Sequence, residues 1–242
     1  MMKKNFYLIA FLFLFLAVDL SAQVHSINLF SGYSSPLNKR LEVNRISGFG
    51  GGAEIKFNVY ENIKIGIGLG YELYSLGQDN AVKQWNWKFY DTRYKGNVSS
   101  DTAADPSLNA LLNPVQKMSI IPLQLTINYE WNVYANIYLK PYAGGGVMFY
   151  TRKLYLEEYW SKYYASEDYL FDYSYRNFAQ DKTGNPFYLL GGLDVEYQLT
   201  DYLRLNAGGK YQQVLEIGGK YGYANFPFEN SLNFKIGLTF LY

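Results

Sequence analysis

Apolar and polar residues alternate one by one over most of the chain, and the pattern is cleanest at the carboxyl end. In SLNFKIGLTFLY (231–242), Phe234, Ile236 and Leu238 share one face with their apolar neighbours, while Asn233 and Lys235 lie on the other. Because successive side chains of a β-strand point to opposite faces, this period of two indicates strands. It predicts eight of them, at 24–34, 51–60, 63–74, 121–131, 137–150, 187–199, 203–215 and 231–242.

The connections between these strands alternate in length. Short links join strands two to three, four to five and six to seven, whereas the other four links are long, at 35–45, 79–115, 153–185 and 217–229. Outer-membrane barrels have short periplasmic turns and long extracellular loops. The sequence therefore predicts an all-β fold, a closed, eight-stranded, antiparallel, up-and-down transmembrane β-barrel with long extracellular loops.

Two features leave this interpretation open. A lipocalin-like soluble barrel would show the same alternation, with an apolar cavity inside and charge outside. Pro122 and Pro141 also fall inside proposed strands, where a closed barrel accommodates proline only at strand starts or bulges.

The amino-terminal segment predicts export. Lys3 and Lys4 precede an apolar run at 6–18, and small residues follow, which is the layout of a cleaved secretory signal. We expect a signal peptide at 1–22 and a barrel domain at 23–242. The alternative is an uncleaved anchor helix, for which the run is short.

Charge and composition exclude several classes of protein. Removal of 1–22 takes Lys3 and Lys4 from the 22 basic residues and Asp19 from the 21 acidic ones, so the formal net charge becomes zero. A nucleic-acid binder would carry a basic excess, so we expect no nucleic-acid partner. The chain has no cysteine, which excludes disulfides and thiolate metal sites.

With these features, residues 24–242 resemble the small eight-stranded outer-membrane barrels of the OmpX/OmpW-like type. The ending NFKIGLTFLY is similar to the carboxyl-terminal signal of that family, through Phe240 and Tyr242. The resemblance implies recognition by the barrel-assembly machinery, contact with outer-membrane lipid, and both termini in the periplasm. It also implies a periplasmic aromatic girdle, for which the candidates are Tyr60, Tyr129, Trp131, Tyr197, Tyr202 and Tyr242.

The polar face of the strands predicts what fills the barrel. Acids and bases on it are nearly balanced, which favours ion pairs that plug the lumen, because buried charges need partners. The predicted lumen ion pairs use Glu54, Lys56, Lys64, Glu72, Glu130, Lys140, Asp194, Glu196, Arg204, Lys210 and Lys235. The alternative is a narrow conduit for small apolar solutes, as the OmpW-like resemblance implies, hollowed by inward glycines.

The sequence contains few candidates for catalytic residues. Some barrels of this size are enzymes of the outer leaflet, but the single histidine, His25, lies at the periplasmic end, where we expect it to face solvent. We therefore predict no catalytic residues, no metal site and no cofactor.

The long loops at 79–115 and 153–185 are rich in aromatic residues. Exposed aromatics at this density favour binding of a protein partner, of a larger outer-membrane complex, or of sugars. The predicted loop binding surface consists of Trp85, Trp87, Tyr90, Tyr159, Trp160, Tyr163 and Tyr164. Alternatively, the loops extend the hairpins beyond the membrane, and their aromatics pack together over the barrel mouth.

Overall fold

A computed structural model describes residues 24–79 and 81–242, so the predicted signal peptide lies outside the described residues. The described residues form eleven strands: β1 (Val24–Pro36), β2 (Val43–Tyr60), β3 (Ile63–Gln78), β4 (Leu108–Tyr129), β5 (Trp131–Tyr134), β6 (Ile137–Tyr164), β7 (Tyr169–Phe178), β8 (Lys182–Gly184), β9 (Phe187–Thr200), β10 (Leu203–Val214) and β11 (Asn230–Leu241).

Eight of these strands form a closed antiparallel ring. Its order is β4-β3-β2-β1-β11-β10-β9-β6, and β6 pairs with β4 to complete the circle. The first and last strands are neighbours, with Ile27 opposite Phe240 and Tyr33 opposite Phe234. Because a closed ring leaves no unpaired sheet edge, it meets the condition for a sheet in lipid. The predicted fold class is confirmed.

The two faces of the ring have opposite character. On β4, the outward-facing Leu125 and Ile127 are 56% and 63% exposed, whereas the inward-facing Thr126 and Asn128 are 0% and 1% exposed. The same alternation runs round the ring, so the exterior is a continuous apolar band. A band of this extent belongs in lipid, and the polar lumen does not fit the lipocalin-like alternative. The protein is a β-barrel of the outer-membrane type.

Exposed aromatic side chains surround the end of the barrel that carries the short turns. All six residues of the predicted girdle are exposed there. Aromatic rings prefer the membrane–water interface, and outer-membrane barrels have their short turns on the periplasmic side. This end is therefore the periplasmic rim, and the long connections lie on the extracellular side.

Strands continue beyond the membrane on the extracellular side, and here the expected loop boundaries are wrong. β6 has 28 residues and pairs with β4 as far as Lys162, while β7 and β8 pair with β6. Most of 153–185 is therefore a strand hairpin and not a loop, because its period-two pattern persists. The β4–β6–β7 segment above the barrel is called the extracellular sheet below.

The connection between β3 and β4 is mostly helical. It contains α1 (Ala81–Trp85), α2 (Lys88–Tyr90), a π-helical stretch (Asp91–Val98) and α3 (Ser99–Ala104), while a short 3₁₀ turn (Tyr223–Asn225) lies between β10 and β11. Within 24–79 and 81–242, every helix is too short or too polar to span a membrane.

The two prolines lie inside strands, at places where one neighbouring ladder is interrupted. The β3–β4 ladder passes from Leu69–Leu123 directly to Glu72–Ile120, so no partner is required of Pro122 on that side. The β4–β6 ladder ends at Tyr142, one residue before it would reach Pro141. Each proline therefore avoids the loss of a ladder hydrogen bond.

Candidate functional site

The periplasmic half of the lumen contains a connected group of charges. Glu130 and Glu196 are bridged by Lys140, whose Nζ lies 2.7 Å from Glu130 Oε2 and 2.6 Å from Glu196 Oε2. Arg204 Nη1 approaches the same two carboxylates at 3.2 and 3.3 Å, and Lys64 Nζ lies 3.5 Å from Glu130. We call these five residues the lumen ion network. They come from β3, β6, β9, β10 and the β4–β5 junction, so the network links strands around the ring.

His25 joins the lumen ion network. Its Nε2 lies 3.5 Å from Glu130 Oε2, so the expectation that this side chain simply faces solvent is wrong. An irregularity in the β1–β2 pairing between Val24 and Ser26 accompanies the inward turn of the residue between them.

A second tier of charges lies toward the middle of the barrel. Lys56 Nζ lies 3.4 Å from Glu54, and Lys235 Nζ lies 2.8 Å from Asp194. The remaining two residues of the predicted lumen set, Glu72 and Lys210, lie close to this tier but are not ion-paired within the described part of the chain. Among the described residues, neither Glu72 nor Lys210 has an ion-pair partner within 4 Å, although Glu72 accepts a hydrogen bond from Tyr74.

Inward glycines make room for these side chains. A Cβ atom on Gly66 would lie 2.6 Å from Glu54 Oε1, and one on Gly208 would collide with Asp194. The glycines therefore do not hollow out a tunnel at these positions, because their space is occupied by carboxylates.

The extracellular half of the lumen is filled by apolar side chains, which the sequence reasoning missed. Phe226 and Phe228, from the β10–β11 connection, are fully buried, with ring centroids 4.6 Å apart. Phe226 packs edge-on against Tyr150 at 5.2 Å, and Phe228 contacts Tyr74 at 5.7 Å. We call this inserted segment, 223–228, the apolar plug. The alternation in FPF (226–228) is too short to predict that the two phenylalanine rings insert into the lumen.

Little free volume remains between these layers. The cavities bordered by Glu72 and Lys210 have volumes of only about 30 and 10 Å³. Since one water molecule needs roughly 10–15 Å³ by the same kind of measure, such spaces hold a few waters at most.

The extracellular sheet has one face covered by the helical connection. Glu158 is buried there and accepts hydrogen bonds from Arg93 Nη2 at 3.0 Å, from Trp160 Nε1 at 2.9 Å, and from Tyr94 and Asn177. Burial alone would raise the pKa of Glu158, but the hydrogen bonds from Arg93, Tyr94 and Trp160 outweigh it and lower that pKa. Burial beside this carboxylate raises the pKa of Tyr94 to about 12.

The predicted loop binding surface divides into buried and exposed members. Trp85 and Trp160 are only 7% and 6% exposed, so they do not offer contact surface. The Trp85 indole N–H donates to Gln180 O at 2.8 Å, and the Trp160 ring stacks on that of Tyr173. The two tryptophans are buried where the helical connection packs against the sheet. The other members are half-buried or exposed: Trp87, Tyr90, Tyr159, Tyr163 and Tyr164.

A further group of exposed aromatic residues lies on β7 and is not among the residues predicted from the sequence. Tyr169, Phe171, Tyr173 and Tyr175 share one face of this strand and are 44–57% exposed. β7 pairs with β6 alone among the described strands, so its other edge is free. YLFDYSYRNF (169–178) has the period-two pattern of a strand, although it lies within the predicted loop 153–185.

The carboxyl terminus closes the ring. Phe240 lies opposite both Ile27 and Leu203, while Tyr242 is exposed and its backbone N–H donates to His25 O at 3.0 Å. Recognition of these two residues by the assembly machinery stays a prediction.

The carboxylates and the histidine of the described residues do not cluster as metal ligands. Within the part of the chain that the structure describes, no group of three or more His, Cys, Asp or Glu side chains is placed to hold a metal ion. The ion pairs of the lumen join side chains from several strands of the ring.

Comparison with known proteins gives structural likeness only. No family model matches the sequence, and no curated protein matches it. A major outer membrane protein from Thermus thermophilus is 13% identical, with a TM-score of 0.46 over 89% of this chain and 99% of that one. Neisserial surface protein A is 12% identical, with a TM-score of 0.44 over 90% and 96%. Outer membrane protein OprG from Pseudomonas aeruginosa is 10% identical, with a TM-score of 0.41 over 91% and 97%. Likenesses this distant carry no functional argument.

Proposed function

We propose that the protein is a non-enzymatic outer-membrane barrel that binds a protein partner, or docks into a larger outer-membrane complex, through β7. The observation that carries this proposal is the free edge of β7, with its row of four exposed aromatics above the membrane. In this proposal the lumen is plugged, the 1–22 segment is a cleaved signal, and Phe240 and Tyr242 serve in assembly.

The contents of the lumen support a plugged barrel. The lumen ion network fills the periplasmic half and the apolar plug fills the extracellular half, with cavities of about 30 and 10 Å³ between them. A conduit for apolar solutes would need a continuous path past both. The two layers therefore favour partner binding over the transport alternative.

The geometry of β7 supports strand addition as the binding mode. An unpaired edge strand presents backbone donors and acceptors at the spacing that a second extended strand requires. The aromatic row adds apolar area on one face, where every second side chain of the incoming strand would pack. A partner with an extended, apolar segment meets both requirements.

The experiment compares two double substitutions on opposite faces of β7. Full-length protein is purified from native membranes in mild detergent as wild type, as Phe171→Ser/Tyr175→Ser, and as Leu170→Ser/Phe178→Ser. All four residues are exposed, so both variants remove similar apolar area. We expect a stoichiometric partner to co-purify with the wild type and with the Leu170/Phe178 control, and to be lost from the Phe171/Tyr175 variant.

Retention of the same partner by the Phe171/Tyr175 variant would contradict binding through the aromatic row. Absence of any stoichiometric partner from all three preparations, with folded barrel in each, would contradict the proposed function itself.

A further inference from the structure

Two lysines lie side by side on the outer surface of the barrel wall. Lys117 on β4 is directly opposite Lys153 on β6, and both are exposed. Like charges that face each other across two strands repel, so the pair is unfavourable unless an anion offsets it. Among the described residues, the one carboxylate within 4 Å of either lysine is that of Asp181, whose Oδ2 lies 4.0 Å from Lys153 Nζ.

The surroundings add positive charge to this position. Lys117 Nζ lies 5.8 Å from the ring centre of Tyr155, and the Arg176 guanidinium approaches the same ring at 5.6 Å. Arg176 already pairs with Glu157 at 2.8 Å, so the two lysines are the cations with capacity for a further anion.

Below the lysine pair, the lipid-facing surface of the same two strands is indented. A groove of about 600 Å³ lies there, because Gly145 has no side chain between Leu123 and Leu125 on one side and Phe187 and Leu189 on the other. Its lining is almost wholly apolar, and Leu215 and Ile217 border it too. A groove with this lining suits an acyl chain, which the hydrocarbon core of the bilayer, about 30 Å thick, supplies at this depth.

The lysine pair lies at the height of a lipid headgroup. On β4 the outward series runs from Leu123 through Ile121 and Ser119 to Lys117, so the apolar band ends four residues before the lysine. At about 3.3 Å per residue along a tilted strand, this places the lysine backbone roughly 10 Å above the band. A lysine side chain of about 6 Å can reach down from there toward the boundary.

We propose that this face is a binding site for a phosphorylated lipid of the outer leaflet. Lys117 and Lys153 hold the phosphate between them, and one acyl chain occupies the groove over Gly145. The groove extends from β4 and β6, which carry the lysine pair, onto β9. Charge and groove follow each other in the vertical order in which a lipid presents its phosphate and its chain. This site is independent of β7 and of the partner proposed above.

The test uses two probes that differ only in phosphate. Full-length barrel in a neutral detergent is titrated with dioleoyl phosphatidic acid or with dioleoylglycerol, and bound lipid is counted by native mass spectrometry. We expect the wild type to retain phosphatidic acid and not dioleoylglycerol. Lys117→Gln/Lys153→Gln should weaken retention by about tenfold or more, since two charge-assisted contacts are lost.

Two further variants make the result specific. Lys83→Gln/Lys88→Gln removes two lysines from the helical connection, away from the groove, and should bind like the wild type. Val147→Phe narrows the groove without changing charge and should also weaken retention. Barrel folding is checked in every variant by its heat-dependent gel shift, so a loss of binding is not mistaken for a loss of fold.

Several outcomes would overturn the proposal. One is that the Lys117/Lys153 variant retains as much phosphatidic acid as the wild type. Another is that the wild type retains dioleoylglycerol as strongly as phosphatidic acid. Full displacement by millimolar inorganic phosphate, with no effect of Val147→Phe, would indicate a free-anion site without a lipid chain. A second copy of the barrel in place of lipid, lost in the Lys117/Lys153 variant, would indicate a dimer interface.

Discussion

The lumen and the extracellular sheet both bury carboxylates, but they do so in different ways. In the lumen, Glu196 is surrounded by Lys140 and Arg204 inside a closed wall that pairs with itself all round. In the extracellular sheet, Glu158 is covered by helices on one face, and the neighbouring β7 edge is open. The closed region leaves no strand edge unpaired, whereas the open region keeps one free edge on β7.

The largest expected effect comes from breaking the lumen ion network. Glu196→Ala leaves Lys140 and Arg204 with one carboxylate between them in a buried site, and loss of one partner of a buried pair costs about 3–5 kcal/mol. We expect the free energy of unfolding in lipid vesicles, measured by urea titration, to fall by this amount. Replacement of the exposed Tyr159 by Ala serves as the control and should change little; equal effects of the two would count against a structural network.

A somewhat smaller effect is expected from the apolar plug. Phe228→Ala removes a fully buried ring, for which core substitutions cost about 3–5 kcal/mol, and we expect about 3 kcal/mol because a connecting segment can partly collapse into the space. The same urea titration measures it. Phe178→Ala, an exposed ring on β7, is the matched control, and a Phe228 variant as stable as this control would show that the plug does not pack as described.

The helical cover of the extracellular sheet should respond to pH through Glu158. The folded pKa of Glu158 lies below its ordinary value of 4.5, so its contribution is fully present above that value and is lost as pH falls through the lowered folded pKa. We expect amide protection factors in 81–104, which are the ratios of intrinsic to observed exchange rates at each pH, to fall at acid pH while those of the barrel strands stay high. Glu158→Gln should raise exchange there at neutral pH and flatten the pH dependence; an unchanged pH profile would mean that another group controls this segment.

The smallest effect is expected from an ion pair at the surface of the same sheet. Lys162 Nζ lies 2.8 Å from Asp105 Oδ2, with both side chains about a third exposed. Hydrogen bonds from Lys162 and Ser107 lower the pKa of Asp105 to about 2, yet water and salt screen such a pair. Asp105→Asn should leave the unfolding midpoint unchanged within error, and a loss comparable to that of Glu196→Ala would contradict the contrast between the two regions.

The sequence predicted which strand residues face the lumen better than it predicted the extracellular sheet, for a physical reason. Inside a membrane, period two decides which side chains face lipid, so Glu130, Lys140 and Glu196 could be assigned to the interior from their positions alone. Above the membrane there is no lipid, so the alternation no longer tells which face of a strand is buried. Trp85 and Trp160 are buried because the helical connection packs on the sheet, and no periodic pattern in the sequence predicts that packing.

The apolar plug shows the same limit. The destination of Phe226 and Phe228 depends on the path of the whole β10–β11 connection into the barrel mouth, which local pattern does not specify. The row on β7 was readable from its alternation, but the free edge beside it follows from strand pairing, and only the structure provides that.

In the proposed function, both halves of the lumen are filled and the protein acts through the outside of the barrel. Single-channel recording of the purified wild-type protein in planar bilayers tests this claim most directly. We expect no discrete conductance steps under conditions in which the barrel is folded and inserted. Reproducible steps of uniform size from the wild type, lost when the barrel is unfolded, would contradict the claim.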